Sequence, residues 1–215
     1  MKNLIFDIEA DGLTPSKVWC IVAKDIEQQK VYQFGPDKLA AGIKLLEEAD
    51  VLIGHNILGY DMPVLEKLHG ATFTSEVIDT LVMSRLYQPV RENGHSLKTW
   101  GYRVNFHKQE QPDDFDEYTP EMLEYCTQDV LLNEKVYFAL MNEGKNFDPE
   151  SLELETEVAR IMLEQEQTGF LFDVERAMKL LAKLKTRMTE VEDEVQRTFK
   201  PKWVDVKEVV PKLKK

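Results

Sequence analysis

Near its N-terminus the chain reads LIFDIE, at residues 4–9, where a buried-strand pattern is interrupted by two acidic residues. Residues two apart in a strand point to the same face of a sheet, so Asp7 and Glu9 should lie side by side. Two partly buried carboxylates repel each other and lose hydration, and a divalent cation removes both penalties. An exposed edge strand with a polar face explains the same spacing, and it is the favoured interpretation for this pair alone.

The patterns that follow this strand predict a mixed sheet flanked by helices. Strands are expected at 3–8, 17–24, 30–34, 51–53 and 76–78, and helices at 37–48, 61–69, 79–87, 96–100, 119–142, 150–167 and 173–198. The first three strands indicate an antiparallel run. Ser96 should start the fourth helix and Gly101 should end it, whereas Thr119 with Pro120 starts the fifth and Gly144 ends it.

The strand patterns end near residues 147–150, and only helical patterns follow. We therefore predict a first domain at 1–148, a helical hairpin at 149–200 and a basic tail at 201–215. The tail either contacts a phosphate backbone or is a solvated, frayed end, and the second interpretation is favoured.

The composition restricts the class of protein. A net charge of −12 argues against a broad basic surface that binds nucleic acid. An enzyme could still bind a nucleic acid through metal ions held by its carboxylates. No apolar run approaches the roughly 20 residues of a membrane span, and the N-terminus resembles neither a signal peptide nor an anchor. Cys20 and Cys126 are predicted to be reduced buried thiols rather than a disulfide or a zinc site, which fits a cytoplasmic location.

A second acidic signal lies in HNILGYD, at residues 55–61. Asp61 stands at the start of a predicted helix, and a plain N-cap is the favoured explanation for it alone. His55 and Asn56 precede it in a loop at the carboxyl end of a strand, which is where sites form in open sheets. His55 is expected to serve structure rather than catalysis.

A third signal lies in YCTQD, at residues 125–129. Tyr125 and Asp129 are four apart in a predicted helix, so they share one face. Tyr125 alone is explained as a core aromatic residue, but an inward aspartate beside it is hard to explain without a metal. Each signal is modest alone. Their order, on a strand, a helix start and a helix, predicts one converging site.

In these three motifs the sequence resembles the 3′–5′ exonuclease (proofreading) domains of family A DNA polymerases, in the tyrosine branch of the DEDD superfamily. Within this group the sequence most resembles the phage replicative enzymes, in the segments IDTLVMSRL (78–86) and HSLKTWGYR (95–103). The segment LEQEQTGFLFD (163–173) resembles the lead-in to their polymerase domain. The likeness covers nearly the whole chain and weakens after Lys200.

The resemblance implies an α/β, ribonuclease H-like exonuclease fold, in which helices flank a mixed central sheet. A C-terminal helical hairpin would follow it and would resemble the start of a polymerase thumb. The resemblance also implies that Asn56 contacts the terminal nucleotide and that Tyr125 orients the attacking water. Two divalent cations, Mg²⁺ or Mn²⁺, would be held by Asp7, Glu9, Asp61 and Asp129.

The implied reaction is the release of nucleoside 5′-monophosphates from single-stranded or frayed DNA 3′ ends. No counterpart of the polymerase palm and fingers is seen in the sequence. We therefore expect one of three origins: part of a split phage polymerase, a shortened polymerase or a free-standing exonuclease. Two alternatives remain. One is an RNA-trimming 3′–5′ exoribonuclease. The other is a subunit that binds a separately encoded polymerase fragment through its apolar helical residues, Ile161, Leu180, Leu181 and Leu184.

Overall fold

The computed structural model describes residues 1–110, 114–200 and 202, in a chain that divides into two compact units, Met1–Thr168 and Gly169–Lys215. The strands are β1 Asn3–Ala10, β2 Val18–Asp25, β3 Lys30–Phe34, β4 Val51–Gly54 and β5 Glu76–Asp79. The helices of the first unit are α1 Leu39–Glu47, α2 Asp61–His69, α3 Thr80–Tyr87, α4 Leu97–Arg103, α5 Pro120–Glu143 and α6 Pro149–Thr168. The second unit contains α7 Val174–Thr198. Apart from Lys202, the predicted basic tail lies outside the described residues.

The five strands form one mixed sheet in the order β3-β2-β1-β4-β5. β1 pairs antiparallel with β2, and β2 pairs antiparallel with β3, whereas β1, β4 and β5 run parallel. The predicted α/β fold with a mixed central sheet is therefore confirmed. Because β1, β4 and β5 run the same way, their carboxyl ends meet at one edge of the sheet.

The alternation of side chains along β1 separates an apolar face from an acidic one. The face toward α1 and α2 carries Leu4, Phe6 and Ile8. Ile5 lies on the opposite face, in a cluster with Cys126 and Val130 of α5. Since the strand period is two, Asp7 and Glu9 follow Ile5 on the face that α5 covers. The first part of the site is therefore placed between the central strand and α5.

One predicted helix boundary is wrong. Ser96 starts α4 as expected, because its Oγ accepts a hydrogen bond from the Thr99 amide at 3.3 Å. The helix does not end at Gly101 but continues to Arg103. A Cβ at Gly101 would lie 2.9 Å from the Phe106 carbonyl oxygen, so this glycine permits the returning chain to pass close by.

The last two predicted helices are both present. In the first unit α6 packs against α3, and its Leu152 and Ala159 contact the apolar clusters there. In the second unit Asp173 caps α7 by accepting a hydrogen bond from the Arg176 amide at 2.9 Å. The pairing of these helices as a hairpin, and the domain boundary at 148/149, stay predictions.

Two further expectations concern the cysteines and the membrane. Cys20 and Cys126 are free and buried, as predicted, and both lie in the cluster on the α5 side of the sheet. Among the helices that the structure describes, none is long and apolar enough to cross a membrane.

Gly54 ends β4 beneath the loop that follows this strand. A Cβ here would lie 1.9 Å from Ile57 Cγ2 and 3.2 Å from the carbonyl oxygen of Phe6. Both neighbours are buried, so we expect Gly54→Ala to lower the free energy of unfolding by about 2 kcal/mol in urea denaturation. Gly35→Ala is the control, because its Cβ would come no nearer than 3.3 Å to the Tyr118 hydroxyl. Equal losses in the two variants would contradict the clash.

Candidate active site

The structure brings every site residue predicted from the sequence to one cleft. The cleft is open, has a volume of about 250 Å³ and lies at the carboxyl end of β1 and β4. The predicted residues on its wall are Asp7, Glu9, Asn56, Asp61, Tyr125 and Asp129. They come from β1, the loop after β4, the start of α2 and the middle of α5. Segments that are far apart in sequence therefore converge on one site.

Asp7 and Glu9 lie together at the end of β1, and an oxygen of each lies within 4.8 Å of the Cys126 Sγ and of the other. Burial, with repulsion from Asp129, raises the pKa of Asp7 to about 7. Burial, with repulsion from Asp7, raises the pKa of Glu9 to about 10. The ionised pair is therefore unfavourable by itself, and a nearby cation would stabilise it.

Cys126 supports the acidic pair and was not predicted to do so. Its Sγ donates to the backbone oxygen of Asp7 at 3.4 Å and lies 3.7 Å from Asp7 Oδ2. Burial raises the pKa of the thiol well above its usual range. A protonated thiol is a donor rather than a metal ligand, so we assign Cys126 to holding Asp7 in place.

Asp61 is not an N-cap, so the simple explanation for this residue is wrong. Tyr60 occupies the capping position of α2 without a side-chain bond, and Asp61 is the first helical residue. Its Oδ1 accepts a hydrogen bond from the Ile8 amide at 3.1 Å. The side chain is buried, and burial together with Asp7 raises its pKa well above the usual value. The carboxylate is thus fixed beside β1.

Tyr125 and Asp129 face the cleft from α5, and both are buried. Burial raises the pKa of Asp129 although Lys108 lowers it, and burial also raises the pKa of Tyr125. Tyr125 therefore stays a neutral phenol near neutral pH. Asp129 Oδ1 is buried without a hydrogen-bond partner, which leaves a carboxylate oxygen available to a ligand.

Lys108 is a further residue of the cleft that the sequence patterns did not reveal. Its Nζ lies 2.5 Å from Asp129 Oδ2 and 4.7 Å from the centroid of the Tyr125 ring. Burial is the largest single influence on Lys108 and opposes its charge, but the charge and hydrogen bond of Asp129 together with Tyr125 outweigh burial and raise the pKa of the lysine. A lone lysine in a polar loop has no periodicity, so only the fold shows this contact.

The loop after β4 is held by Asp79, another residue that sequence reasoning missed. The Asp79 carboxylate accepts hydrogen bonds from the amides of Asn56 at 2.9 Å, Leu58 at 3.2 Å and Leu81 at 2.8 Å. Asn56 has a φ of 66°, in the left-handed region that asparagine tolerates better than most residues. The fixed backbone leaves the exposed Asn56 side chain at the cleft, in a position to contact a ligand.

His55 also lies on the wall of the cleft, and its structural role stays a prediction. Its Nδ1 lies 2.9 Å from Thr80 Oγ1. Burial, followed by the positive charge of Lys108, lowers the pKa of His55 to about 4. The imidazole is therefore neutral near pH 7.

The rim of the cleft is apolar, and this part was also missed. Leu13 is 94% exposed and Phe115 lies nearby on the same wall. The Tyr60 hydroxyl donates to the Gly12 oxygen at 2.6 Å, and Trp19 Nε1 donates to the Phe115 oxygen at 2.7 Å. These bonds fix the backbone on either side of the carboxylates, so the two apolar side chains form a defined edge.

The donor set fits hard divalent cations. Carboxylate oxygens suit Mg²⁺ or Mn²⁺, whereas structural zinc sites are built from cysteine and histidine. Three observations agree with a cation: the raised pKa values of Asp7 and Glu9, the short separation of these two carboxylates, and the unpartnered Asp129 Oδ1. The residues present therefore fit the cofactor that the sequence predicted.

Comparison with known sequences finds phage polymerases. The DNA-directed DNA polymerases of Escherichia phage T7 and Enterobacteria phage T3 are each 26% identical to this chain over 91% of its length. The chain spans 37% of the length of these curated relatives. No protein-family profile matches it.

Comparison with solved structures finds nucleases of the same fold. Brucella melitensis NrnC with bound Mg²⁺ has a TM-score of 0.59 at 17% identity, covering 80% of this chain and 89% of that one. Escherichia coli RNase D, an exoribonuclease involved in structured RNA processing, has a TM-score of 0.57 at 16% identity, covering 76% and 45%. The chain therefore shares the fold of these nucleases, and in sequence it is similar to the phage polymerases.

Proposed function

We propose that the chain is a metal-dependent 3′–5′ exonuclease that releases nucleoside 5′-monophosphates from DNA 3′ ends and serves as the proofreading part of a phage-type polymerase. One observation carries the proposal. Four carboxylates from three separate parts of the chain meet in one cleft beside a buried tyrosine. Such a set of oxygen donors suits phosphodiester hydrolysis with divalent cations.

Asp7, Glu9, Asp61 and Asp129 would hold two cations, either Mg²⁺ or Mn²⁺. When bound, the cations would supply an activated water and stabilise the charge that develops on the departing 3′-oxygen. The protein fixes its ligands in advance: the Ile8 amide holds Asp61, and the thiol of Cys126 holds Asp7.

Tyr125 orients the attacking water through its hydroxyl. Burial keeps the phenol protonated, so it is a hydrogen-bonding group and not the general base. The proton of the water must therefore pass to a group other than the phenol.

Removing the Tyr125 hydroxyl tests this role. Because misplacing a reactant by about 1 Å can cost up to about 100-fold in rate, we expect Tyr125→Phe to lower kcat roughly 10- to 100-fold. Cation affinity should stay unchanged, since the phenol is not a ligand. Single-turnover cleavage and Mn²⁺ titration measure the two quantities. Tyr137→Phe, in the same helix but outside the cleft, is the control. An unaltered rate in Tyr125→Phe would remove the tyrosine from the mechanism.

The substrate would enter as a single strand. Asn56 can contact the terminal nucleotide, while Leu13 and Phe115 offer apolar surface against which bases stack. The cleft is open rather than closed around its ligand, which suits a chain end that arrives already separated from its partner strand. A frayed or mismatched end meets this condition with less unpairing cost than a paired one.

The choice of DNA over RNA is favoured by sequence similarity to DNA polymerases over nearly the whole chain. The runner-up is an exoribonuclease, because the similar RNase D is described as one. Oligonucleotides of identical sequence, one of DNA and one of RNA, each labelled at the 5′ end, discriminate between these functions. We expect faster shortening of the DNA from its 3′ end, and faster loss of the RNA would reverse the assignment.

A second candidate function is binding to a separately encoded polymerase fragment. It is favoured by the apolar residues that α6 and α7 each leave exposed, including Ile161 at 62%, Leu180 at 57% and Leu184 at 54%. Gel filtration of the chain with a fragment that carries palm and fingers tests it. Co-elution that is lost in Leu180→Asp with Leu184→Asp would support this function. Separate elution alongside full nuclease activity would leave the free-standing enzyme.

A further inference from the structure

Lys108 places a positive charge among the carboxylates of the cleft. Its contact with Asp129 Oδ2 is 2.5 Å long, and only 23% of the lysine side chain and 4% of the aspartate side chain are exposed. The ion pair between Lys179 and Glu175 on α7 is different, since those side chains are 71% and 81% exposed. An exposed ion pair contributes little to stability. In a buried pair, by contrast, each charge depends strongly on its partner.

The paired carboxylate is also one of the proposed cation ligands. Asp129 has one oxygen against the ammonium and its other oxygen, Oδ1, buried without a partner. A divalent cation that approaches Asp129 meets the charge of Lys108 a few ångströms away, and like charges at this distance repel strongly in a partly buried site. The cation and the ammonium therefore compete for one carboxylate.

The ammonium of Lys108 also contacts the ring of Tyr125 while it is paired with Asp129. Its Nζ lies 4.7 Å from the centroid of the Tyr125 ring, which is within the range of a cation–π interaction. The flexible four-carbon stem of lysine allows the head group to leave Asp129 while remaining near this ring.

We infer that Lys108 is the resident counter-ion of the site: its ammonium holds Asp129 until a divalent cation displaces it, and it sets the cation concentration at which the site fills. Lys108 acts through Asp129 and is therefore a positioning residue. The inference rests on the cation site proposed above and adds the regulation of that site.

The test measures Mn²⁺ binding to the full chain by electron paramagnetic resonance, without substrate. We expect Lys108→Met to tighten Mn²⁺ binding by about tenfold, because the positive charge that repels the cation is gone. Lys108→Gln should shift the affinity in the same direction. Lys108→Arg keeps the charge and should stay close to the unsubstituted chain. Lys98→Met removes an exposed lysine of α4 away from the cleft and should also leave affinity unchanged.

Unchanged or weaker Mn²⁺ binding in both Lys108→Met and Lys108→Gln overturns the inference. Equal tightening in Lys98→Met overturns it too, because the effect would then be one of net charge. Circular dichroism establishes that each variant is folded. If the unsubstituted chain binds no Mn²⁺, the proposed cation site itself fails. If that chain binds Mn²⁺ but Lys108 has no influence, only the present inference fails.

Discussion

Asp7→Asn is expected to lower the cation-dependent release of nucleotides by about 1,000-fold or more, the largest effect of any single change proposed. Asparagine keeps the shape of the side chain but cannot provide the charge that holds a divalent cation between β1 and α5. The Cys126 thiol can still donate to the Asp7 backbone oxygen, so the local fold should persist. Release of radiolabelled nucleotide from a single-stranded DNA oligomer in Mg²⁺ measures the loss.

The same variant should be at least as stable as the unsubstituted chain without cations. Loss of one buried negative charge relieves the repulsion that raises the pKa values of its neighbours Glu9 and Asp61. Asp37→Asn, a matched change at an exposed position outside the cleft, should alter neither activity nor stability. Full activity in Asp7→Asn would exclude a catalytic role for this carboxylate. Loss of activity together with unfolding would show that Asp7 is structural.

The second large effect is a dependence of stability on pH that divalent cations suppress. Asp7 has its pKa raised from 3.8 to about 7, and Glu9 has its pKa raised from 4.5 to about 10. The folded protein therefore keeps protons that the unfolded chain has already lost. This contribution is complete below about pH 4 and disappears as the pH rises through the folded-state values.

Without cations, the free energy of unfolding should therefore fall by about 3 kcal/mol between pH 5 and pH 8 through Asp7 alone, and Glu9 should add a further loss. Saturating Mg²⁺ should remove most of the fall, because the cation stabilises the ionised form and binds only the folded state. Urea denaturation at several pH values, with and without Mg²⁺, provides the measurement. The contribution of Asp7 is obtained by subtracting the pH dependence of the free energy of unfolding measured for Asp7→Asn from that of the unsubstituted chain. An equal dependence of the free energy of unfolding on pH in both proteins would contradict the raised pKa of Asp7.

Local periodicity predicted which site residues share a face, whereas their convergence on one site was predicted from the order of the three motifs and their role as cation ligands from the resemblance. Period two along β1 placed Asp7 and Glu9 on one face, and the spacing of four on α5 placed Tyr125 beside Asp129. Both patterns depend only on the geometry of a single strand or helix. They can therefore be predicted without knowing which elements pack against it. The caps at Ser96 and Thr119 were predictable for the same reason, since each bonds an amide three residues away.

The supporting residues could not be predicted, because their roles arise from contacts between distant segments. Lys108 contacts Asp129 from the segment between α4 and α5, and Phe115 lies at the rim with its backbone oxygen bonded to Trp19 of β2. Gly101 gave a false stop signal for a related reason. It allows close approach of the chain at Phe106, a need that a turn-based rule cannot distinguish from a helix end.

The central claim is that four carboxylates of this chain form one divalent-cation site, and anomalous scattering from Mn²⁺-soaked crystals tests it most directly. We expect strong peaks in the cleft, within about 2.0–2.6 Å of carboxylate oxygens drawn from Asp7, Glu9, Asp61 and Asp129. Two neighbouring peaks about 3.5–4 Å apart would match the proposed hydrolytic chemistry. Crystals that take up Mn²⁺ elsewhere on the protein and leave this cleft without a peak would contradict the claim.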